Sequence, residues 1–356
     1  MKKNGKLDKT PFVSICTPTF NRRPFIPIII KCFENQTYPM DKIEWIIVDD
    51  GTDKIEDLVS HIPQVKYYKY DEKMTLGKKR NIAHEKCTSD IIIYMDDDDY
   101  YPPERISHAV KILRENPDAK CVGASEMYIF FKHIQKMYKF GPYGPNHSTA
   151  ATFAFRKELL KETSFDNNTS IAEEKHFLKN YTIPFAQLDT MKSILVFSHD
   201  HNSFDKKELL LVPNQTVNIS DKTVDDFIKD EEIKRFFLND IDGLLELYQP
   251  GKPENKPDVS KQIKEIKERR EEMIKTETKR LDDYNKMLNN LKHKNKNNDG
   301  LVHDKQMSEN ILLIQELTRE NKLLNDKVKY LENKIKELIN LELERKKSPK
   351  TTALLS

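Results

Sequence analysis

The 356-residue sequence predicts an α/β fold, a mostly parallel sheet with flanking helices, followed by an all-α coiled-coil region. Three observations carry that prediction. Across residues 11–210, short apolar runs ending in polar turns alternate with helix-like segments, the pattern of parallel strands joined by crossover helices. From 261 to 347 the chain is almost free of Pro and Gly. Hydrophobic residues make up 37% and charged ones 33%, an average that conceals two unlike halves.

The elements follow in order. A strand-like run over 12–17 leads into a polar loop at 18–23 and a helix-like stretch near 24–35. A second apolar run at 44–48 ends in a turn at 49–53, and a short strand is expected at 65–70. A helix near 76–86 precedes the run Ile91-Ile92-Ile93-Tyr94-Met95, and another helix starts after Pro102-Pro103. Residues 221–248 read as helical and acidic and stop at Pro250-Gly251. These boundaries divide the chain into a domain at 1–215, a helical connector with a Pro/Lys linker at 216–255, a helical region at 256–347 and a tail at 348–356.

In the helical region, Met307, Ile314, Asn321, Val328 and Ile335 fall at heptad position a, and Asn310, Leu317, Leu324, Leu331 and Leu338 at d. Four consecutive Leu at d with β-branched residues at a predict a parallel homodimer through 307–342, with Asn321 fixing the register. The upstream piece, from Ile263 to Leu291, is a poorer heptad.

Composition excludes several classes. Sixty Lys and Arg against 58 Asp and Glu leave a net charge of +2, so no nucleic-acid partner is expected. The four cysteines are far apart and form no C-x-x-C pair, which suits reduced thiols. No apolar stretch approaches the roughly 20 residues of a membrane span, and the polar start lacks the pattern of a signal peptide. The expected location is cytoplasmic.

Chemistry concentrates at the ends of three apolar runs. Asp96-Asp97-Asp98-Asp99 closes the third run, where open α/β sheets place ligands. Carboxylates this close repel unless a cation neutralises them, and hard oxygen donors suit Mn²⁺ or Mg²⁺. Asp96 and Asp98 point to one side in an extended chain, and Asp99 is a candidate cap for the helix after Pro103. Asp49-Asp50-Gly51-Thr52 closes the second run and Pro18-Thr19-Phe20-Asn21-Arg22 the first. No glycine-rich dinucleotide or P-loop pattern occurs.

These segments, with Gly77-Lys78-Lys79-Arg80-Asn81 between them, resemble in order and spacing the motifs of family 2 glycosyltransferases with a GT-A fold. The resemblance covers roughly residues 11–205. It implies a metal-dependent, inverting transfer of a sugar from a nucleoside-diphosphate donor, UDP-linked by the family's habit, to a hydroxyl acceptor. It also implies that Pro18, Thr19, Phe20, Asn21 and Arg22 line the nucleoside, and that Asp50 accepts a hydrogen bond from the base. Lys78 and Arg80 would sit near the base or diphosphate, and Asp96 and Asp97 in the donor site. Asp96 and Asp98 match the two ends of the family's D-x-D metal motif.

An inverting transfer needs one general base on the acceptor side. The family often places an acidic pair 70–80 residues after the metal motif, and Glu173-Glu174 occupies that place, with Glu in the second position where the family has Asp. Glu174 is preferred and Glu173 is the alternative. His199 is a candidate third metal ligand, with His201 not separable from it. Two other functions fit the same residues: a GT-A-like nucleotidyltransferase, disfavoured by the absence of Gly in 18–23, and a non-catalytic nucleotide-binding coiled-coil scaffold.

Overall fold

The computed structural model describes residues 10–211, 214 and 216–295. Its centre is a seven-stranded sheet in the order β3-β2-β1-β4-β8-β5-β9. The strands are β1 (Val13–Thr19), β2 (Ile43–Asp49), β3 (Val65–Lys69), β4 (Ile91–Tyr94), β5 (Cys121–Gly123), β8 (Ala154–Arg156) and β9 (Phe185–Gln187). The pairs β2–β3, β1–β2, β1–β4 and β5–β9 are parallel, whereas β8 runs antiparallel to both β4 and β5. The sheet is therefore mixed. A second, four-stranded sheet lies in the order β10 (Val196–Ser198), β6 (Met127–Phe131), β7 (Lys136–Phe140), β11 (Val217–Ile219).

The apolar runs are continuous because both faces of the large sheet are covered. Val13, Ile15, Trp45, Ile47, Ile91 and Ile93 face one hydrophobic cluster, and Cys16, Ile46, Val48, Ile92 and Tyr94 the other. Register Val13↔Ile43 through Thr19↔Asp49 brings the carboxyl ends of β1 and β2 level. Ile15↔Ile93 and Cys16↔Tyr94 do the same for β4. The three polar turns are thereby gathered at one edge, the place where such sheets hold ligands.

The helices are α1 (Ile26–Glu34), α2 (Glu56–Val59), α3 (Leu76–Lys86), α4 (Arg105–Glu115), α5 (Glu174–Phe177), α6 (Val224–Phe227), α7 (Glu231–Arg235), α8 (Ile241–Leu247) and α9 (Pro257–Asn295). Helix α3 begins where Thr75 Oγ1 accepts from the Lys78 N–H, an N-cap. Gly77 is required there by close approach. A Cβ at this position would lie 2.1 Å from the carbonyl oxygen of Asp166.

Two expectations are corrected here. Helix α4 starts at Arg105 with no side-chain cap, so Asp99 does not cap it. Tyr100 pairs with Leu195 in a β-bridge, and Pro102 and Pro103 then carry the chain onward, leaving Asp99 buried at the sheet edge. Nor does the first compact unit end at 215, because it extends to Arg270. Phe227, Ile228, Ile233, Phe237, Ile241 and Leu245 enter the main hydrophobic cluster, and Phe237 stacks on Phe197 with ring centroids 4.6 Å apart. Residues 216–255 thus complete the core instead of linking it. The second unit begins at Glu271; of it, the structure describes the continuing α9, with Met273, Ile274, Tyr284 and Met287 exposed. The predicted heptads at 307–342 lie outside the described residues. No helix among the described residues is long and apolar enough to cross a membrane.

Candidate active site

A crevice enclosing about 130 Å³ opens at the carboxyl edge of β1 and β4, lined among others by Pro18, Phe20, Arg22, Asp96, Asp97 and Asp98. That is narrow beside the roughly 300–1,000 Å³ of ligand pockets. The far wall is formed by Lys256, Asp258 and Val259 at the start of α9.

Arg22 follows the left-handed Asn21, at φ 53°. That turn sends its guanidinium back to the acidic cluster, where Nη2 lies 2.9 Å from Asp98 Oδ2 and Nε 3.5 Å from Asp97 Oδ1. Burial alone would raise the Asp98 pKa, but the Arg22 guanidinium outweighs it and holds the carboxyl well below the usual range. Asp97 is different. Burial pushes it up to about 6 against the pull of Arg22. Burial, with Asp98 next, pushes Asp99 well above the carboxylate range, and its Oδ1 has no hydrogen-bond partner.

Arg80 organises a second group. Its guanidinium is 2% exposed, donates to both oxygens of Asp96 at 3.3 and 3.2 Å, donates through Nε to Glu173 Oε1 at 3.0 Å, and lies 4.3 Å from the Tyr94 ring centroid. One buried cation therefore ties the acidic turn after β4 to the start of α5. Glu174, beside Glu173, is pushed up to about 7 by burial and then by Glu173. A carboxylate titrating near neutrality suits proton abstraction.

Lys79, rather than Lys78, is the α3 lysine that reaches the crevice. Lys78 is exposed, whereas Lys79 Nζ sits 2.7 Å from Asp50 Oδ1 and 3.0 Å from the Thr19 carbonyl oxygen. Asp50 is fully used: its second oxygen accepts from the Met74 N–H. It stands behind the crevice and positions Lys79. Asn21 is also committed, accepting from the Asp53 N–H at 2.9 Å and donating to the Pro250 carbonyl at 2.9 Å. Phe20 is half-buried, with the Lys73 and Lys79 ammoniums 5.1 and 5.7 Å from its ring centroid.

Could these residues hold a divalent ion? The His199 N–H donates to Asn202 Oδ1 at 2.9 Å, which turns the Asn202 amide nitrogen toward His199 Nε2 at 2.7 Å. Nε2 is then an acceptor, and burial lowers this imidazole to about 3, so it is neutral. Asp98 Oδ2 lies 3.5 Å from that nitrogen. An ionised carboxylate beside a neutral imidazole is a donor set that suits a divalent cation. Among the described residues, no group of three or more His, Cys, Asp or Glu side chains is disposed to hold a metal unaided. Asp96 is engaged by Arg80 through both its oxygens. His201 donates no ring contact there; its carbonyl accepts from Arg22 Nη1 at 2.9 Å.

Residues 14–169 match the sequence profile of Glycosyl transferase family 2. This segment is a family 2 glycosyltransferase domain. The chain is 26% identical over 116 residues to the poly(ribitol-phosphate) beta-N-acetylglucosaminyltransferase TarS of Staphylococcus aureus, a match covering 29% of this chain and 19% of that one. It is 29% identical over 192 residues to the glucosyl-dolichyl phosphate glucuronosyltransferase of Haloferax volcanii, covering 46% of this chain and 58% of that one. The chain thus spans less than two thirds of each relative's length. A solved structure of S. aureus TarS 1-349 in complex with UDP-GlcNAc superposes with a TM-score of 0.43 at 19% identity, over 52% of this chain and 58% of that one.

In this glycosyltransferase domain, the motif residues fall into two layers. Pro18, Phe20, Arg22, Asp96, Asp97 and Asp98 line the crevice, whereas Thr19, Asn21, Asp50 and Arg80 support it from behind. The sequence reading missed Lys73, Lys79, Ser170, Ser203 and Lys256, which also line it. Lys79 was visible in the motif, but the resemblance was carried onto Lys78 and Arg80 and gave it no role. Lys256 carries no local signal, since only the packing of the chain beyond 215 brings it there.

Proposed function

We propose that the domain transfers a sugar from a nucleoside-diphosphate donor, most simply UDP-linked, to a hydroxyl acceptor with inversion. The observation that carries this is the pairing of two chemistries at one sheet edge. A crevice holds clustered cations and carboxylates, and Arg80 ties it to Glu173, whose neighbour Glu174 has its carboxyl pushed up to about 7 by burial.

In this reading Phe20 offers a flat face to the base, and Lys79 presents a fixed positive charge on the phosphate side. Asp98 and His199 would hold a Mn²⁺ or Mg²⁺ ion. When bound, that ion neutralises the negative charge that builds on the departing diphosphate. Glu174 takes the proton from the acceptor hydroxyl on the face opposite the leaving group. Glu173, held by Arg80, orients the start of α5 and keeps Glu174 basic by repulsion. The relatives' names support a sugar donor and leave the acceptor open. Pairing of two chains through the heptads at 307–342 remains part of the proposal on sequence grounds alone.

The test is release of UDP from UDP-glucose, UDP-galactose and UDP-N-acetylglucosamine with Mn²⁺. Release that stops with EDTA and with Asp98→Ala supports the reading. No metal-dependent release from any donor, with the wild type no different from the variant, leaves a nucleotide-binding scaffold instead.

A further inference from the structure

The crevice is lined by four cations, and three of them are paired. Arg22 meets Asp98, Lys79 meets Asp50, and Lys73 meets Asp258. Lys256 is the exception. It is 5% exposed, and its ammonium finds Ser203 Oγ at 3.0 Å and the His201 carbonyl oxygen at 3.5 Å, but no carboxylate within ion-pairing distance among the described residues. Burial, with Arg22 next, lowers the Lys256 pKa well below the ordinary lysine value, so charging this buried amine is costly until an anion completes it.

Its position is built rather than incidental. Asn21 Nδ2 donates to the Pro250 carbonyl at 2.9 Å, and Tyr248 Oη donates to Asp53 Oδ2 at 2.8 Å. Gly251 packs so tightly that a Cβ would lie 2.7 Å from both the Asn21 carbonyl oxygen and His201 Nδ1. Beyond Lys256, Asp258 binds Lys73 and Ser170, and Gln262 Oε1 accepts from the Ser170 N–H at 2.8 Å. The segment from 248 to 262 is thus fastened on both sides of Lys256, which projects into the same crevice as Phe20, Asp97 and Asp98.

We infer that Lys256 is a ligand for the diphosphate of the donor, so that the start of α9 forms part of the donor site. The inference rests on the nucleotide-donor reading above. An incoming diphosphate supplies the counter-ion that the protein withholds, and the N-terminal end of α9 adds a favourable dipole for the same anion.

The experiment is calorimetric titration of the full chain with UDP and with uridine, both with Mn²⁺, for wild type, Lys256→Met, Lys256→Arg and Asp98→Ala. Methionine preserves the volume and removes the unpaired charge, so the variant folds, as thermal unfolding will verify. Lys256→Met should weaken UDP roughly ten- to a hundredfold, the loss of one charge-assisted contact, and leave uridine unchanged. Lys256→Arg should recover most of the UDP affinity. UDP binding by Lys256→Met equal to or tighter than wild type overturns the inference, the tighter case marking Lys256 as a plug. If Asp98→Ala abolishes UDP binding while Lys256→Met does not, only this inference falls. If the wild type does not bind UDP, the UDP-donor reading falls with it.

Discussion

Replacing Arg80 by methionine removes the cation on which the two halves of the site converge. The guanidinium is 2% exposed and spans Asp96, at 3.2 and 3.3 Å, and Glu173, at 3.0 Å. Methionine keeps much of the volume, so the cost comes from two carboxylates left without a partner, one of them 6% exposed. Breaking a buried ion pair from one side costs about 3–5 kcal/mol. The Tyr94 ring, 4.3 Å from the guanidinium, adds a cation–π loss of about 1–2 kcal/mol. Charge relief through protonation of a carboxylate limits the sum, so a loss of about 3–5 kcal/mol is expected. At roughly 2–4 °C per kcal/mol for a domain of this size, the midpoint of thermal unfolding should fall by about 6–20 °C. Urea unfolding of wild type, Arg80→Met, Glu173→Gln and the double variant measures it. The double variant should be less damaged than the sum of the singles. A loss under about 1 kcal/mol with additive singles would refute the account of Arg80 as the shared counter-ion.

Other expectations follow from the same geometry. Because burial and Glu173 raise Glu174 to about 7, the folded state holds this proton more tightly than the unfolded chain. Stability therefore falls as pH rises from the ordinary carboxylate range through about 7, and Glu174→Gln should flatten that slope in urea titrations across pH. In the transfer assay, kcat/KM should rise through about pH 7 as Glu174 ionises, and Glu174→Gln should lower it by about 10²–10⁴-fold. Gly251→Ala sets a methyl against Asn21 and His201; a loss of about 1–3 kcal/mol with weaker UDP binding is expected by calorimetry. Gly77→Ala meets backbone at Asp166 and should cost at least as much in thermal unfolding.

The sequence made the sheet edge legible because strands buried on both faces leave uninterrupted apolar runs, and the polar residues closing Val13–Thr19, Ile43–Asp49 and Ile91–Tyr94 then fall together. The expected helix at 76–86 coincides with α3. Its facing was not legible. A helix that turns Lys79 and Arg80 inward has no apolar stripe to give its orientation, so the choice between Lys78 and Lys79 depended on the ion pairs with Asp50, Asp96 and Glu173. The second sheet escaped notice because its strands are short, with three residues each in β10 and β11. Residues 221–248 were recognised as helical, but their acidic surface masked Phe227, Phe236 and Phe237, which join them to the core. Lys256 follows from that packing, a relation between positions more than 200 residues from the loop at Asn21, which no local pattern encodes.

The most direct measurement is a crystal structure of the chain with Mn²⁺ and UDP. The account predicts the diphosphate in the crevice between Arg22, Lys79 and Lys256, with the ion at Asp98 and His199 and Glu174 facing the acceptor side. Nucleotide density elsewhere, with the Arg22–Asp98 crevice unchanged, would contradict it.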